Sequence, residues 1–515
     1  MTRQYNNYED MITFTRASTG TALRPVTYGD ELVTNGTFDT DLTGWTLSGG
    51  SATVTDGEAV VSYDGGNGGL YQIITVEVGK LYEIKGSLTA ATSSGPRLKV
   101  GTTTFGTEVT QLTTVGDINE EFIATTTIIS IFVQAITDGS TTVDNISVKE
   151  VTFDQPDGTL TLFNHPNNVP RIEYDADGNW KGLLIEESRT NLVTYSEDFS
   201  QWINSSSTDT AASTTSPDGE SNGTLLTAVS STYANIFINV TLSLNTEYCA
   251  SVYMKAGSSS DSQILLFDPT GAGTTGGIRI NWTDGVPSTQ IYLGNGTDAT
   301  YEDVGGGWYK VSFKSFSSAV NTSHRVIIYS DRADGINSIY IWGAQLEAGA
   351  FPTSYIPTSG STATRATDDC GSLLFSNFGY NNQEGTFVVE FSYTDPDDSD
   401  TNYLISGGAS ARFFYNNTAT STWSTYDGVS AVTTTDVPQD GTVAKVAIAM
   451  SNSGTTTYLN GTLKGSNSSI KPQGNVGADL FIGGTGGVTM INGHIKSIQY
   501  YPRRLSNAQL QALTS

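Results

Sequence analysis

The stretch ELVTNGTFDTDLTGW (residues 31–45) recurs in altered form as NLVTYSEDFSQW (residues 191–202). Each copy opens a long segment in which strands of about five to eight residues, rich in Thr, Val and aromatic side chains, are separated by turns of Gly, Asn, Asp and Ser. This pattern is typical of antiparallel sandwiches made of two sheets. The repeat therefore predicts two β-sandwich modules in one chain.

Both copies continue and close in the same order. VEVGKLYEIKGSLTAA (76–91) corresponds to LSLNTEYCASVYMKAG (242–257), and TTVDNISVKEV (141–151) corresponds to NSIYIWGAQLEAG (337–349). Apolar residues alternate along each of these phrases, as in a strand that buries one face. We predict that the tryptophans of the repeated phrases belong to the cores; they are Trp45, Trp202, Trp308 and Trp342.

A third segment, 366–515, has its own strand and turn signals. EGTFVVEFSY alternates like a half-buried strand, and Asn460-Gly461 marks a two-residue hairpin turn. At the C-terminus, Ser506 is placed to cap a short helix, with Gln509 at the capping-box position and Leu510 and Leu513 on an apolar face. The predicted fold class is all-β: tandem antiparallel sandwiches and one short C-terminal helix.

The composition restricts the function. The chain has 515 residues, enough for several domains, and its 25 Lys and Arg stand against 52 Asp and Glu, a formal charge of −27. Such a chain repels phosphates, and no basic stripe offsets the charge locally, so we expect no nucleic-acid binding. No run of 18 apolar residues is present, so we expect no membrane insertion.

Two fold families are similar to these segments. NGTFDTDLTGW and VDNISVKEV resemble the opening and closing phrases of jelly-roll carbohydrate-binding modules. The third segment resembles concanavalin-like, laminin-G-like sandwiches, in which a Y-x-N-G hairpin, an IGG strand and a terminal helix follow in this order. These resemblances imply two jelly rolls and a C-terminal concanavalin-like sandwich.

Further phrases resemble those of bacteriophage tail-fibre and head-fibre proteins; they are FTRASTGT, PRIEYD, GLLIEESRTNL, YSEDFSQW and GGGWYKVSF. In such relatives the first phrase runs almost directly into the second, so we interpret the first jelly roll as an insertion between them. The predicted domains are a discontinuous N-terminal β domain (1–28 with 152–190, a candidate for virion docking), an inserted module (29–151), a second module (191–365) and the C-terminal sandwich (366–515).

The ionic cluster EESR raises the question of catalysis. A glycosidase needs two carboxylates facing one cleft. Glu186 and Glu187 are adjacent, and adjacent residues of an extended strand point to opposite faces. We therefore interpret Glu186, Glu187 and Arg189 as an interdomain latch.

No catalytic residues are assigned. The three histidines lie in different segments, and no G-x-S-x-G elbow or zinc motif is present. Concanavalin-like hydrolases carry an E-x-D-x-x-E strand or a close variant, and the third segment has no such phrase. We therefore expect a protein that is not an enzyme, with a glycan-depolymerising enzyme of the particle as one alternative.

Sugar binding calls for exposed aromatic rings beside polar groups. Tyr63 and Tyr71 flank the glycine-rich turn DGGNGG, and Trp423 and Tyr426 lie in the loop-like phrase TSTWSTYDG. We take these four residues as the candidate carbohydrate-binding platforms. The alternative is that they are partly buried at an interface.

A structural calcium ion is implied by the jelly-roll resemblance. Asp39 and Asp144 occupy the phrases in which such modules hold a calcium ion between the entry and closing strands. The alternative is that Asp39 caps a turn and Asp144 makes a strand-end hydrogen bond. DPDDSD (395–400) also concentrates carboxylates, but it lacks the spacing and the glycine of an EF-hand loop.

Together these features predict a non-enzymatic virion protein: a bacteriophage tail fibre or spike-like appendage that attaches to host-surface glycans. A capsid decoration or head-fibre protein is a further alternative. The N-terminal region shows no apolar segment of a signal peptide, which agrees with synthesis in the host cytoplasm and a location on the virion. The resemblance implies a homotrimer with tail or capsid proteins as partners.

Overall fold

The computed structural model describes residues 14–65, 68–229, 233–271, 273–294, 296–331, 336–375, 378–394, 402–407, 412–417, 422–426, 431–434, 441–468, 479–484 and 490–515. The chain forms two compact units: Pro25–Thr159, and a larger unit in which Leu160–Ser515 joins the segment ending at Arg24. The fold is nearly all-β, as predicted, with 58% of residues in strands and 3% in helix. In the described part of the chain, no helix is long and apolar enough to cross a bilayer.

The smaller unit contains the inserted module. Its strands, including the one that leads into it, are β1 (Gly20–Tyr28), β2 (Thr46–Leu47), β3 (Ser51–Thr55), β4 (Glu58–Ser62), β5 (Gly69–Thr75), β6 (Leu81–Ala91), β7 (Pro96–Gly101), β8 (Thr110–Leu112), β9 (Gly116–Ile123), β10 (Ile128–Ala135) and β11 (Ser140–Phe153). One sheet has the order β1-β11-β4-β3, with β6 added to β11 and β9 added to β6, and the other has the order β2-β5-β10-β7-β8. The apolar faces of both sheets meet in one core, which includes Trp45 and Ile131.

Short strands connect the modules: β12 (Thr159–His165), β13 (Ile172–Tyr174), β14 (Trp180–Ile185) and β15 (Arg189–Asn191). β12 pairs with β1, and β15 pairs with a later strand, β28 (Ala363–Arg365).

The second module repeats the topology of the first. Its strands are β16 (Ile203–Ser205), β17 (Ser207–Thr214), β18 (Gly223–Ala228), β19 (Asn235–Thr241), β20 (Glu247–Ala256), β21 (Asp261–Asp268), β22 (Gly273–Thr283), β23 (Val286–Gly294), β24 (Thr297–Asp303), β25 (Trp308–Phe316), β26 (Ser323–Tyr329) and β27 (Ser338–Ala348). The two sheets have the orders β16-β19-β26-β21-β22-β23 and β17-β18-β27-β20-β25-β24. Trp202 lies in the core between the two sheets, while Trp308 and Trp342 lie in a second buried cluster, so all are buried as predicted.

The C-terminal domain is a third sandwich. Its strands are β29 (Ser372–Leu374), β30 (Gly385–Tyr393), β31 (Tyr403–Ser406), β32 (Arg412–Asn417), β33 (Thr422–Tyr426), β34 (Ala431–Thr434), β35 (Ala444–Ser451), β36 (Gly454–Leu459), β37 (Thr462–Ser466), β38 (Asp479–Ile482) and β39 (Gly493–Tyr501), followed by helix α1 (Asn507–Thr514). The sheet orders are β13-β14-β39-β30-β35-β36-β37 and β29-β38-β31-β32-β33-β34.

Two local predictions for this domain are confirmed. Asn460 (φ 48°) and Gly461 (φ 72°) form the turn between β36 and β37, both in the left-handed region that a two-residue type I′ turn requires. Ser506 Oγ accepts a hydrogen bond from the backbone N–H of Gln509, and Gln509 Oε1 accepts one from the Ser506 N–H, which is the predicted capping box.

The structure distributes the connecting strands differently from the predicted discontinuous domain of 1–28 and 152–190. β13 and β14 extend a sheet of the C-terminal domain, because β14 pairs with β39 through Leu183, Leu184 and Ile185. Gly182 (φ 125°) permits this pairing, since a Cβ there would lie 2.5 Å from the Ile495 carbonyl oxygen. Ile185 is fully buried in the C-terminal core.

Candidate functional site

The outer face of the β5–β10–β7 sheet in the inserted module carries a cluster of aromatic and basic side chains. Along β10, Ile129, Ile131 and Val133 point into the core. Phe132 points to the other side of the sheet, where its cross-strand neighbours are Tyr71 on β5 and Lys99 on β7.

Three aromatic rings stack on this face. Phe105 packs on Phe132 with ring centres 4.3 Å apart, and Tyr71 meets Phe105 edge-on at 5.2 Å. Phe132 is covered, Tyr71 is half-buried, and Phe105 exposes 38% of its surface. An exposed phenyl ring beside a tyrosine is the kind of platform on which the apolar face of a sugar ring can stack.

The loop that carries Phe105 is internally braced. The Glu108 carboxylate accepts hydrogen bonds from the Thr102 backbone N–H (3.0 Å) and the Thr103 hydroxyl (2.7 Å), and the bond from Thr103 is the largest factor that lowers the Glu108 pKa. Gly106 passes close to this carboxylate, which lies 2.0 Å from where a Cβ of Gly106 would be, so a side chain there would displace the carboxylate. The Glu108 carboxylate therefore braces the loop from within.

Phe105 itself has a conformation that large side chains rarely adopt. Its φ is 67°, in the left-handed region, and its backbone N–H donates to the Ser130 hydroxyl at 3.3 Å. Backbone strain of this kind persists where the surroundings enforce it, and it concentrates at functional sites. The strain favours a binding role for this face, which we call the aromatic face: Tyr71, Phe105 and Phe132 with their neighbours Arg97 and Lys99.

The two cations of the aromatic face both lie on β7. Lys99 Nζ is 5.5 Å from the centre of the Phe132 ring, and Arg97 lies opposite Gln134 of β10. Burial lowers the pKa of Lys99, and the charge of Arg97 lowers it further. Among the described residues, neither cation forms an ion pair with a carboxylate.

The four predicted sugar platforms are not brought together. Tyr71 belongs to the aromatic face, whereas Tyr63 is half-buried after β4 and its backbone N–H donates to the Gly139 carbonyl oxygen. The expectation for Trp423 needs correction: it lies on β33, fully buried, and stacks on Phe414 in the C-terminal core. Tyr426 ends β33 and is half-buried.

The predicted calcium residues are electrostatic neighbours. One oxygen of Asp144 accepts a hydrogen bond from Asn145 (2.8 Å), while the other is buried without a hydrogen-bond partner. Burial raises the Asp144 pKa, and repulsion by Glu58 and Asp39 raises it further. Asp39 is exposed and accepts a hydrogen bond from the Thr37 hydroxyl.

A cation would relieve both the orphaned oxygen and this repulsion, so the pair fits calcium. Over the described residues, however, no three His, Cys, Asp or Glu side chains form a metal cluster. Carbonyl oxygens or water would have to complete the coordination, as calcium sites commonly allow. The second candidate loop, 395–400, lies outside the described residues.

Glu186 belongs to a buried ionic network in the larger unit. Its carboxylate lies 2.8 Å from Arg171 and 3.5 Å from Arg365, and it accepts hydrogen bonds from the backbone and hydroxyl of Ser354. Burial alone would raise the Glu186 pKa, but the charges of Arg365 and Arg171 and the bonds from Ser354 lower it to about 2. The predicted latch thus takes its arginines from distant segments.

Asp368 is the second anion of this network. It bonds to Arg171 and, at 3.1 Å, to Arg16, and it accepts the backbone N–H of Glu186. We call Arg16, Arg171, Glu186, Arg365 and Asp368 the buried latch. It ties the N-terminal segment, β14 and the linker after β28 together.

Glu187 and Arg189 form a separate pair at 2.5 Å. Glu187 is also linked to Asn492 of the C-terminal domain, and Arg189 lies over the Phe351 ring at 4.9 Å. Glu186 and Glu187 thus contact different partners, Glu186 within the buried latch and Glu187 with Arg189 and Asn492.

A cleft of about 370 Å³ lies between the second module and the C-terminal domain, within the larger unit. On its wall, Glu173 lies 2.5 Å from His494 Nε2 and 2.9 Å from Lys181, while Lys181 also binds Glu302 at 2.9 Å. Burial alone would raise the pKa of Glu173, but Lys181 and His494 hold it well below its usual range. Ser392 Oγ lies 3.2 Å from His494 Nδ1.

No local sequence pattern reveals this Ser–His–Glu chain, because its members are far apart in the sequence. Only the pairing of β30 with β39, and the addition of β13 and β14 to the same sheet, brings them together. Lys181 binds the same Glu173 oxygen as His494, so the carboxylate is shared and less available to orient a catalytic imidazole.

Comparison with known proteins supports the C-terminal fold. Residues 371–511 match the family model of the concanavalin A-like lectin/glucanases superfamily. The C-terminal domain therefore has the concanavalin-like fold that the sequence predicted. No curated protein matches the sequence.

Among solved structures, the tandem CBM22-1–CBM22-2 domain of Paenibacillus barcinonensis Xyn10C is 13% identical (TM-score 0.22; 62% of this chain and 98% of that one). Trypanosoma rangeli sialidase with the inhibitor DANA is 11% identical (TM-score 0.24; 98% of both chains). Mouse laminin alpha1 domains LG4-5 are 11% identical (TM-score 0.17; 55% and 88%).

Proposed function

We propose that this protein is a non-enzymatic glycan-binding protein and that the aromatic face of the inserted module is its binding surface. The observation that carries the proposal is Phe105: an exposed phenyl ring in a strained conformation, held by a braced loop over two further aromatic rings. A ring that is kept exposed at such a conformational cost supports a role in stacking on a sugar.

The biological setting is also part of the proposal. The phrases FTRASTGT, PRIEYD and GLLIEESRTNL support a bacteriophage virion appendage that attaches to host-surface glycans as a homotrimer with tail proteins. The alternative is that the protein lies on the capsid, as a head-fibre or decoration protein. Immunolabelling of phage particles in negative stain tests both: label on tails supports the appendage, label spread over capsids supports decoration, and unlabelled particles would reject the virion setting.

Binding can be tested on a glycan array with the purified protein. The natural protein should bind a defined set of glycans, and Tyr71→Ala should weaken that binding about tenfold through loss of an aromatic contact. Tyr63→Ala is the matched control, since Tyr63 is a half-buried tyrosine of the same unit outside the aromatic face. Equal loss with both variants would place the site elsewhere.

A second candidate function is hydrolysis of a glycan ester in the cleft of the larger unit, which the Ser392–His494–Glu173 chain favours. Ser392 would act as the nucleophile, with His494 Nδ1 as the base. A fluorophosphonate probe should then label the natural protein but not the Ser392→Ala variant. If the natural protein stays unlabelled, this second candidate is rejected.

A further inference from the structure

The inserted module is a strongly acidic unit with two unneutralised cations on one surface. Pro25–Thr159 contains eighteen Asp and Glu but only five Lys and Arg. Two of the five cations, Arg97 and Lys99, lie on the outer face of a single strand, two positions apart.

Two other cations of the unit, Lys80 and Lys85, are paired with carboxylates. Lys80 lies 3.2 Å from Glu77 and 3.1 Å from Glu150, and Lys85 lies 3.0 Å from Glu83. With so many carboxylates in the unit, an ion pair is the ordinary arrangement for a lysine. Arg97 and Lys99 instead repel each other, and no described carboxylate lies within ion-pair distance of either.

Their environment makes this arrangement unfavourable for the free protein. Lys99 is partly buried against the Phe132 ring, where desolvation penalises its charge, and the neighbouring Arg97 adds like-charge repulsion. An anion bound between the two side chains would remove the repulsion and replace lost hydration. Arg97 also offers a planar guanidinium, which binds a carboxylate through two parallel hydrogen bonds.

We propose that the aromatic face selects acidic saccharides, with the carboxylate of a uronic or sialic acid residue bound by Arg97 and Lys99 and an adjoining sugar ring stacked on Phe105. This inference rests on the proposed glycan-binding function and adds the chemical class of the ligand.

The test compares an acidic ligand with its neutral ester. Isothermal titration calorimetry should be run with an oligogalacturonate and with its fully methyl-esterified form, and with sialyllactose beside its carboxyl methyl ester. The acidic member of at least one pair should bind about tenfold more tightly or better, because hydrogen bonds between charged groups are the stronger ones. This preference should weaken as salt is raised.

The double variant Arg97→Gln with Lys99→Gln should abolish the preference, so that the acidic and the neutral member of each pair bind equally. Lys85→Gln is the matched control, because it removes one positive charge of the same unit that already has a partner. A sulfated oligosaccharide bound in preference to every carboxylate ligand would overturn the assignment to carboxylates.

The outcomes separate the two proposals. Equal affinity for the charged and esterified ligands, with loss of both in Phe105→Ala, would overturn the acidic preference but keep the glycan-binding function. Failure of every saccharide to bind would overturn both. A preference that survives the double variant would place the anion site away from β7 and so reject the inference.

Discussion

The inserted module and the second module share a skeleton but differ in how their outer faces are used. In each, a Phe–Trp pair packs directly before a short strand, β2 or β16, with ring centres 5.2 Å apart for Phe38–Trp45 and 5.1 Å apart for Phe199–Trp202. In each, the hydroxyl of a buried tyrosine, Tyr82 or Tyr248, accepts a backbone N–H from the residue five positions earlier.

The difference appears on the equivalent sheets. On the outer face of the second module, the Arg325 guanidinium lies 4.4 Å from the centre of the Phe237 ring, and its Nε donates to Asn239. On the inserted module, Arg97 and Lys99 have no such hydrogen-bonding partner among the described residues. The shared strand order therefore specifies the sandwich, whereas the outer faces differ in whether their cations have a hydrogen-bond acceptor within the protein.

The second module is also tied to its neighbours by the buried latch, and breaking the latch should have the largest effect on stability. Asp368→Asn would leave three buried arginines facing a single carboxylate. We expect a loss of about 3–5 kcal/mol in the free energy of unfolding of the larger unit, as for other broken buried ion pairs. Calorimetry should show one transition shifted, while the transition of the inserted module stays in place.

Glu187→Gln provides the control for that experiment, since the Glu187–Arg189 pair is partly exposed and should contribute about 1 kcal/mol or less. An equal effect of the two substitutions would contradict the view that the buried latch is the main tie.

The contribution to stability should change with pH in opposite directions for two carboxylates, Glu186 in the larger unit and Glu121 in the inserted module. The pKa of Glu186 is lowered to about 2, so its contribution to stability is present above the unfolded pKa of about 4.3 and is lost as the pH falls toward 2. Glu186→Gln should therefore be less stable than the natural protein at pH 7, with a difference that shrinks in acid.

In the inserted module, burial and then the charges of Glu83 and Glu120 raise the Glu121 pKa to about 8. A raised carboxyl pKa costs stability as the pH rises from about 4 to 8. Glu121→Gln should thus be more stable than the natural protein at pH 8 but equal to it near pH 4. Chemical denaturation at several pH values checks both variants. If both substitutions changed stability in the same direction as the pH rises, the opposite pKa shifts of Glu186 and Glu121 would be contradicted.

Calcium should raise the stability of the inserted module and leave the stability of the larger unit unchanged. At a concentration a hundredfold above its dissociation constant, a bound ion would add about 2.7 kcal/mol of stability. The melting temperature of this unit should rise with calcium in the natural protein and stay constant in Asp144→Asn. If the melting temperature still rose with calcium in the variant, Asp144 would not be a ligand of the ion.

The smallest expected effect concerns a hydrogen bond that both modules share, and it should be equal in the two. Tyr82→Phe and Tyr248→Phe each remove the acceptor for one backbone N–H, held at 2.9 Å, in a turn. Each should cost about 1 kcal/mol in its own unit. Unequal costs would show that the two turns are not equivalent.

Local patterns predicted much of the fold. The capping box at Ser506, the Asn460–Gly461 turn and the repeated modules all depend on residues close in sequence or on strand alternation. The Ser and Thr neighbours of Trp423 are typical of a loop, so the local pattern does not reveal that they belong to the buried strand β33. The aromatic face and the buried latch depend on strand pairing between distant segments, as for Phe132 with Lys99 and Arg171 with Glu186, which no local pattern specifies.

The most direct test of the central claim compares matched aromatic substitutions in the two modules. Phe105→Ala and Phe237→Ala each remove one phenyl ring from the outer face of the equivalent sheet. Titration of a glycan that binds the natural protein should show lost affinity with Phe105→Ala and unchanged affinity with Phe237→Ala. Unchanged binding by Phe105→Ala, or a loss confined to Phe237→Ala, would contradict the assignment of the binding surface to the inserted module.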